Sequence, residues 1–189
     1  RRCAEAVFDQ KDQCIDAYGE TIMKKKLATF ISLFRPHQWL KNLLILFPPF
    51  FGRKLASAEV LAAVLPAFVS FSLAASSVYI VNDVMDRESD RHHPAKRNRA
   101  IASGSLSVTA ALIIAAAVGI VSLLLAATVS RTFEAYLILY ILLTFLYSIY
   151  FKHVIIMELL IVSFGFLLRI LAGGEAFHVV VSSWLFLTF

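Results

Sequence analysis

Asn82-Asp83-Val84-Met85-Asp86-Arg87-Glu88-Ser89-Asp90-Arg91-His92-His93-Pro94-Ala95-Lys96-Arg97-Asn98-Arg99 is the stretch that decides how this chain folds. Its eighteen residues hold four carboxylates, five Lys or Arg and two His, with long apolar runs on either side. A polar island of this density between apolar runs reads as a loop joining two membrane spans, where lipid cannot solvate charge and the flanking water can. Composition agrees: 59% of the 189 residues are hydrophobic and 16% are charged, with a mean hydropathy of +0.76. The expected fold is therefore an all-α, polytopic transmembrane helical bundle.

Working outward, residues 57–81 form the span before the loop, with Pro66 expected to kink it and Ser70, Ser72, Ser76 and Ser77 offering small packing surfaces. Residues 106–130, 135–151 and 154–172 form the next spans, and Gly173-Gly174-Glu175 reads as a turn. Nearer the start, Pro36 to Phe51 is apolar but short, about 24 Å as an α-helix, so it crosses only if flanking residues snorkel or the bilayer thins. Residues 1–26 are polar, lack a signal-peptide core and read as an extension preceding a membrane domain over 27–189. Cys3 and Cys14 both lie in that extension and read as ordinary thiols.

The net charge of +5 does not indicate nucleic acid, because Lys and Arg cluster in short segments between spans. With a cytoplasmic start, eleven cations fall inside (Lys24, Lys25, Lys26, Arg35, Lys41, Arg87, Arg91, Lys96, Arg97, Arg99 and Lys152) against Arg53, Lys54 and Arg131 outside. That asymmetry assigns the charged loop to the cytoplasmic side of a cell membrane.

Within the loop, Asp83, Asp86 and Asp90 are spaced by three and four residues. On a helix continuing past Asn82 they share one face. Carboxylates so placed repel unless a cation joins them, and hard oxygen ligands leaving sites for water and phosphate suit Mg²⁺, with Asn82 adding a neutral oxygen. Arg91, Lys96, Arg97 and Arg99 then match phosphate oxygens. The competing reading is a solvated loop with local ion pairs. His92 and His93, adjacent and without cysteine nearby, do not have the spacing of a zinc site. Lys41 and Asn42, at the start of the first apolar run, and Lys152 fall on the same side. Each lysine either contacts substrate or snorkels. Glu158 and Arg169 are ionisable groups inside a span, about three turns apart. They are expected to face the bundle interior and a polar cavity. Gly165, Gly173 and Gly174 read as close-packing positions.

Asn82-Asp83-x-x-Asp86-x-x-x-Asp90 resembles the first Asp-rich motif of the UbiA-type intramembrane prenyltransferase superfamily. Arg35-Pro36-His37-Gln38-Trp39-Leu40-Lys41-Asn42, the stretch His93-Pro94-Ala95-Lys96-Arg97-Asn98-Arg99-Ala100-Ile101-Ala102-Ser103-Gly104, and Tyr147-Ser148 to Lys152-His153 with Gly165-Phe166-Leu167-Leu168-Arg169 and Ala172-Gly173-Gly174 resemble the decaprenyl-phosphate phosphoribosyltransferase branch. The likeness covers roughly residues 27–189. It departs at Asn98 and Ala100, and at Glu158, where an aspartate is typical. The resemblance implies a bundle of about nine helices, about five or six of which fall in this chain, so a truncated catalytic bundle is expected.

It further implies a Mg²⁺-dependent transferase that moves 5-phosphoribose from phosphoribosyl diphosphate to a polyprenyl phosphate in a bacterial inner membrane, for cell-envelope synthesis. Asp83, Asp86 and Asp90 would hold metal and act in catalysis with Lys41. Asn42, Asn82, Arg91, Lys96, Arg97, Arg99, Lys152, Glu158 and Arg169 would bind substrate. A homo-oligomer is compatible with all of this. Three rivals remain: transfer of a prenyl group from prenyl diphosphate to an aromatic acceptor, a membrane transporter using Glu158 and Arg169, and a CDP-alcohol phosphotransferase, whose Asp-Gly and Ala-Arg lead-in is absent.

Overall fold

A computed structural model describes residues 31–152 and 154–181. The polar extension, the run from residue 182 onward and His153 lie outside the described residues. The chain forms a 3-10 helix, Pro36–Leu46, then α1 (Phe47–Phe51), α2 (Ala58–Met85), α3 (Arg87–His92), α4 (Val108–Val129), α5 (Arg131–Leu146), a π-helical turn (Tyr147–Phe151) and α6 (Ile155–Ala176). Among the described residues, four helices are long and apolar enough to cross a membrane: Ala58–Met85, Val108–Val129, Arg131–Phe151 and Ile156–Ala176. Their outer faces carry large exposed apolar residues such as Ile113, Leu124, Leu142, Leu159 and Phe164, as a lipid-facing bundle requires.

The helices start where local chemistry expects. Ser57, Ser107 and Ser130 cap α2, α4 and α5 by accepting the backbone N–H of Val60, Ala110 and Phe133, satisfying donors that lipid could not. Pro66 sits inside a continuous α2. α2 packs on α4 through small residues. Ala111, Ala115, Ser122 and Ala126 are the buried positions of α4. Ser122 Oγ donates to Ser70 O at 2.7 Å and Ser77 Oγ to Ala115 O at 2.8 Å. Small side chains let two backbones approach, and the hydroxyls then bridge them.

The first apolar run differs from expectation in winding. Pro36–Leu46 is a 3-10 helix, which rises about 2.0 Å per residue, so with α1 the sixteen residues extend to about 30 Å, enough for a hydrocarbon core without thinning. The winding also explains the side-chain order. Residues three apart eclipse in a 3-10 helix, so Trp39, Asn42 and Ile45 form one line. That line faces α2 and α6: Trp39 Nε1 donates to Ser76 Oγ at 3.0 Å, Asn42 Nδ2 to Ser72 Oγ at 3.0 Å, and Ile45 is 1% exposed. Leu40 and Leu43, off the line, are exposed.

A second difference lies at Gly173-Gly174-Glu175, which is helical; α6 runs on to Ala176. Gly173 is where the 3-10 helix crosses α6. A Cβ there would stand 2.1 Å from the Ile45 carbonyl oxygen, so only glycine permits this approach. The close-packing reading of Gly173 holds and the turn reading does not.

Candidate active site

α2 ends at Met85, one turn beyond the expected limit, with Asp86 as C-cap before α3 begins at Arg87. This break decides the geometry of the acidic motif. Asp83 and Asp90 are turned inward, 5% and 3% exposed, whereas Asp86 stays half-buried at the junction.

Two ion-paired groups result. In the first, Arg99 bridges Asp83 Oδ1 at 3.0 Å and Asp90 Oδ2 at 2.7 Å. Lys96 approaches Asp90 at 3.8 Å, and Arg35 donates to Asp83 Oδ1. In the second, Lys152 Nζ donates to Asp86 Oδ1 at 2.6 Å, and Asn82 Nδ2 reaches Asp86 Oδ2 at 3.2 Å. Buried carboxylates of this kind require compensating cations, and here the four cations come from three separate parts of the chain. The loop that supplies Arg99 is anchored by Ala100, Ile101 and Ala102, all buried, with Ile101 and Ala100 in an apolar cluster with Ile80, Ala111 and Ala115. Ala100, a departure from the family pattern, thus fills a tight core position.

The expectation of three aspartates on one helical face is corrected by the break at Asp86. Among the described residues, no three carboxylate or imidazole groups converge on a point that could hold a metal ion. The donors are nonetheless right in kind, since carboxylate and amide oxygens suit a hard divalent cation. The set fits an ion that arrives with phosphate oxygens of its own better than one held by protein alone, which is the usual habit of Mg²⁺.

Other predicted residues fall differently. Arg91 is tied to Glu88 at 3.1 Å and to the Ala102 carbonyl at 3.2 Å, so it staples the loop, and the solvated-loop reading applies to this pair. Lys41 and Arg97 are exposed and make no ion pair with the aspartates. Glu158 lies in the first turn of α6, exposed. It acts on the Tyr147 hydroxyl, not on Arg169. The expectation that Glu158 and Arg169 share an interior cavity is corrected, because Glu158 sits at the helix end. Arg169 is 5% exposed and is bound by neutral groups: Nε donates to Asn42 Oδ1 at 2.8 Å, and the two terminal nitrogens donate to Gly165 O at 2.7 Å and Tyr140 Oη at 3.1 Å. Its guanidinium also lies 4.6 Å from the Tyr140 ring centre, a cation–π contact. Asn42 and Arg169 therefore join four elements in the bundle interior, the 3-10 helix, α2, α5 and α6, apart from the aspartates.

Arg35 is the residue that sequence reasoning missed as a site member. It precedes Pro36 in a left-handed conformation, φ 49° and ψ 58°, where a residue before proline is normally extended. The signal available was its place at the head of the Arg-Pro-His-Gln-Trp motif, opposite the acidic loop. With His37, Asp83 and Arg99 it lines a cavity of about 230 Å³.

Comparison with known proteins agrees on the kind of chain this is. The model of the UbiA prenyltransferase family matches residues 45–189. The decaprenyl-phosphate phosphoribosyltransferase of Mycobacterium tuberculosis is 39% identical over 165 residues, covering 85% of this chain and 55% of that protein. The protein of the same name from Mycolicibacterium smegmatis is 38% identical over 168 residues, covering 87% and 53%. The nodulation protein NoeC of Azorhizobium caulinodans is 34% identical over 172 residues, covering 86% and 52%. The chain thus spans about half the length of the curated relatives it matches. Among solved structures, a UbiA homolog from Archaeoglobus fulgidus bound to DMAPP and Mg²⁺ superposes with a TM-score of 0.72 at 21% identity, over 82% of this chain and 56% of that one. The same archaeal homolog bound to GPP and Mg²⁺ gives 0.69. At this identity the likeness speaks for the fold.

Proposed function

The chain belongs to the UbiA prenyltransferase family, and on that premise we propose that it forms part of a Mg²⁺-dependent membrane transferase moving 5-phosphoribose from phosphoribosyl diphosphate to a polyprenyl phosphate. The observation that carries this reading is the ring of cations about the acidic motif. The pairs of Arg99 and Lys96 with Asp83 and Asp90, and of Lys152 with Asp86, support it, because cations suited to phosphate stand beside carboxylates suited to a hard metal ion. The names of the mycobacterial relatives supply the transferred phosphoribosyl group and the polyprenyl phosphate acceptor; a diphosphate donor is the form of that group that matches the cations around the carboxylates.

In the proposed reaction the bond between the anomeric carbon and the diphosphate oxygen breaks, and the electron pair leaves with diphosphate. A bond forms from an acceptor phosphate oxygen to the same carbon. The acceptor is already anionic, so no general base need remove a proton, and no Ser-His-Asp or Cys-His set is required. Magnesium, when bound, neutralises the diphosphate and stabilises it as it departs. Asp83, Asp86 and Asp90, with Asn82, would supply its protein oxygens only together with the phosphate oxygens of the donor, since among the described residues they do not converge into a metal site of their own. Arg99, Lys96 and Lys152 would orient the phosphate groups. The excess of Lys and Arg at this end supports a cytoplasmic position for the site in a bacterial inner membrane, where a soluble donor enters from water and a lipid acceptor from between helices.

The test is diphosphate release from phosphoribosyl diphosphate by the full-length protein, with polyprenyl phosphate and Mg²⁺ present. Release should vanish in Asp83→Ala/Asp86→Ala. Turnover of prenyl diphosphates onto aromatic acceptors, with none of phosphoribosyl diphosphate, would overturn the assignment in favour of aromatic prenylation.

A further inference from the structure

Asp83 Oδ1 accepts from two guanidinium groups at once, those of Arg35 and Arg99. Arg99 has a second partner in Asp90. Asp83 is the one carboxylate that Arg35 pairs with among the described residues. Arg35 also has a left-handed backbone just before Pro36, its N–H donating to Ser32 O at 3.2 Å, with its guanidinium 4.9 Å from the Tyr79 ring centre. The adjoining cavity is lined by Arg35, Arg99, His37 and a single carboxylate, Asp83. Two guanidiniums and an imidazole suit a phosphate group, yet a phosphate beside bare Asp83 is repelled. The contradiction disappears if a divalent cation takes Asp83 as the phosphate takes the guanidinium.

We infer that Arg35 is an exchangeable counter-ion: it neutralises Asp83 while the site is empty, and it passes to a phosphate oxygen of the diphosphate donor when metal and donor enter together. This deepens the proposed reaction and rests on that reading for the identity of the donor. It makes metal and phosphate binding mutually dependent. A metal ion alone must displace Arg35 from Asp83 and leaves that guanidinium without a carboxylate, against the Tyr79 ring alone, in a half-buried site, which is costly. A metal with diphosphate leaves every charge paired.

The prediction has opposite signs for one substitution. In the full-length protein in lipid nanodiscs, Mn²⁺ serves as a paramagnetic stand-in whose free signal reports binding. Arg35→Gln should bind Mn²⁺ alone about tenfold more tightly, because a competitor for Asp83 is gone. The same variant should bind inorganic diphosphate in the presence of Mg²⁺ about tenfold more weakly, each change being about 1.4 kcal/mol. Arg35→Lys, which keeps the charge, should stay close to the parent in both. A parallel fall in both affinities, or no change in either, would mean that Arg35 only holds the fold, and the inference would be overturned. Should Arg35→Gln fail to fold, Asp83→Asn decides the matter from the other side: it should weaken Mn²⁺ binding further while leaving diphosphate alone bound more strongly, because Arg35 is freed for it, and no gain in diphosphate binding sinks the exchange. A protein that shows the opposed affinities yet never turns over phosphoribosyl diphosphate would refute the proposed reaction and leave the exchange standing.

Discussion

Replacing Gly173 with alanine tests the packing that carries Arg35 to Asp83. The new Cβ would lie 2.1 Å from the Ile45 carbonyl oxygen and 2.8 Å from its carbon. Both are backbone atoms, so no rotamer change relieves the clash. The 3-10 helix must retreat by about 1.3 Å, the difference between 2.1 Å and an ordinary closest approach of about 3.4 Å. That retreat stretches the 2.8 Å bond from Arg169 Nε to Asn42 Oδ1 past hydrogen-bonding range. Overpacking costs about 1–3 kcal/mol, and a lost interhelical hydrogen bond in a membrane about 0.6 kcal/mol, up to about 1.7. A total loss of about 2–4 kcal/mol is therefore expected in unfolding by SDS titration of mixed micelles, followed by far-UV circular dichroism. Gly165→Ala is the milder comparison, since its Cβ would stand 3.3 Å from Arg169 Nη1 and 3.8 Å from Tyr140 Cε2, side-chain atoms that need give by only a few tenths of an ångström, and it should cost about 1 kcal/mol or less. Equal stabilities for the two variants would refute the argument that the 3-10 helix lies hard against α6.

Other substitutions probe separate links. Asn42→Ala strips the acceptor from Arg169 Nε and the donor from Ser72 Oγ, and should cost about 1–2 kcal/mol in the same titration; Asn42→Asp should recover most of it by giving Arg169 a carboxylate. Lys152→Met should change stability by less than about 1 kcal/mol, because its pair with Asp86 is about a quarter exposed on each side, but should weaken binding of magnesium diphosphate measured by calorimetry. Ser122→Leu places a large side chain at a fully buried contact with Ser70 and should destabilise by about 1–3 kcal/mol, whereas Ser122→Ala should lose about 0.6 kcal/mol.

How much of this could be read beforehand depends on the range of the interaction. The spans over 57–81, 106–130 and 135–151 came within a few residues of α2, α4 and α5 with its π-helical turn, because hydropathy and the cost of unpaired backbone in lipid are local properties. The break at Asp86 was not legible. Nothing in the spacing of three and four residues states whether a helix stops between two aspartates, and that stop sent Asp83 and Asp90 to Arg99 and left Asp86 to Lys152. Glu158 is a different case: the expected span over 154–172 starts where α6 starts, at Ile155, but hydropathy does not say which way a first-turn residue faces, and Glu158 faces outward, exposed.

By itself the sequence determined that this is a helical membrane bundle of the UbiA family, where its long spans run, and that its charge gathers in one loop. It also contained the motif residues that form the candidate site. Only the tertiary structure decided which cation meets which carboxylate. Arg35 reaches Asp83 across 48 positions, Lys152 reaches Asp86 across 66 and Arg169 reaches Asn42 across 127. Such pairs depend on helix rotation, on 3-10 rather than α winding, and on a glycine that lets two backbones meet. Burial and charge compensation set all three collectively, through contacts between segments that no local pattern encodes.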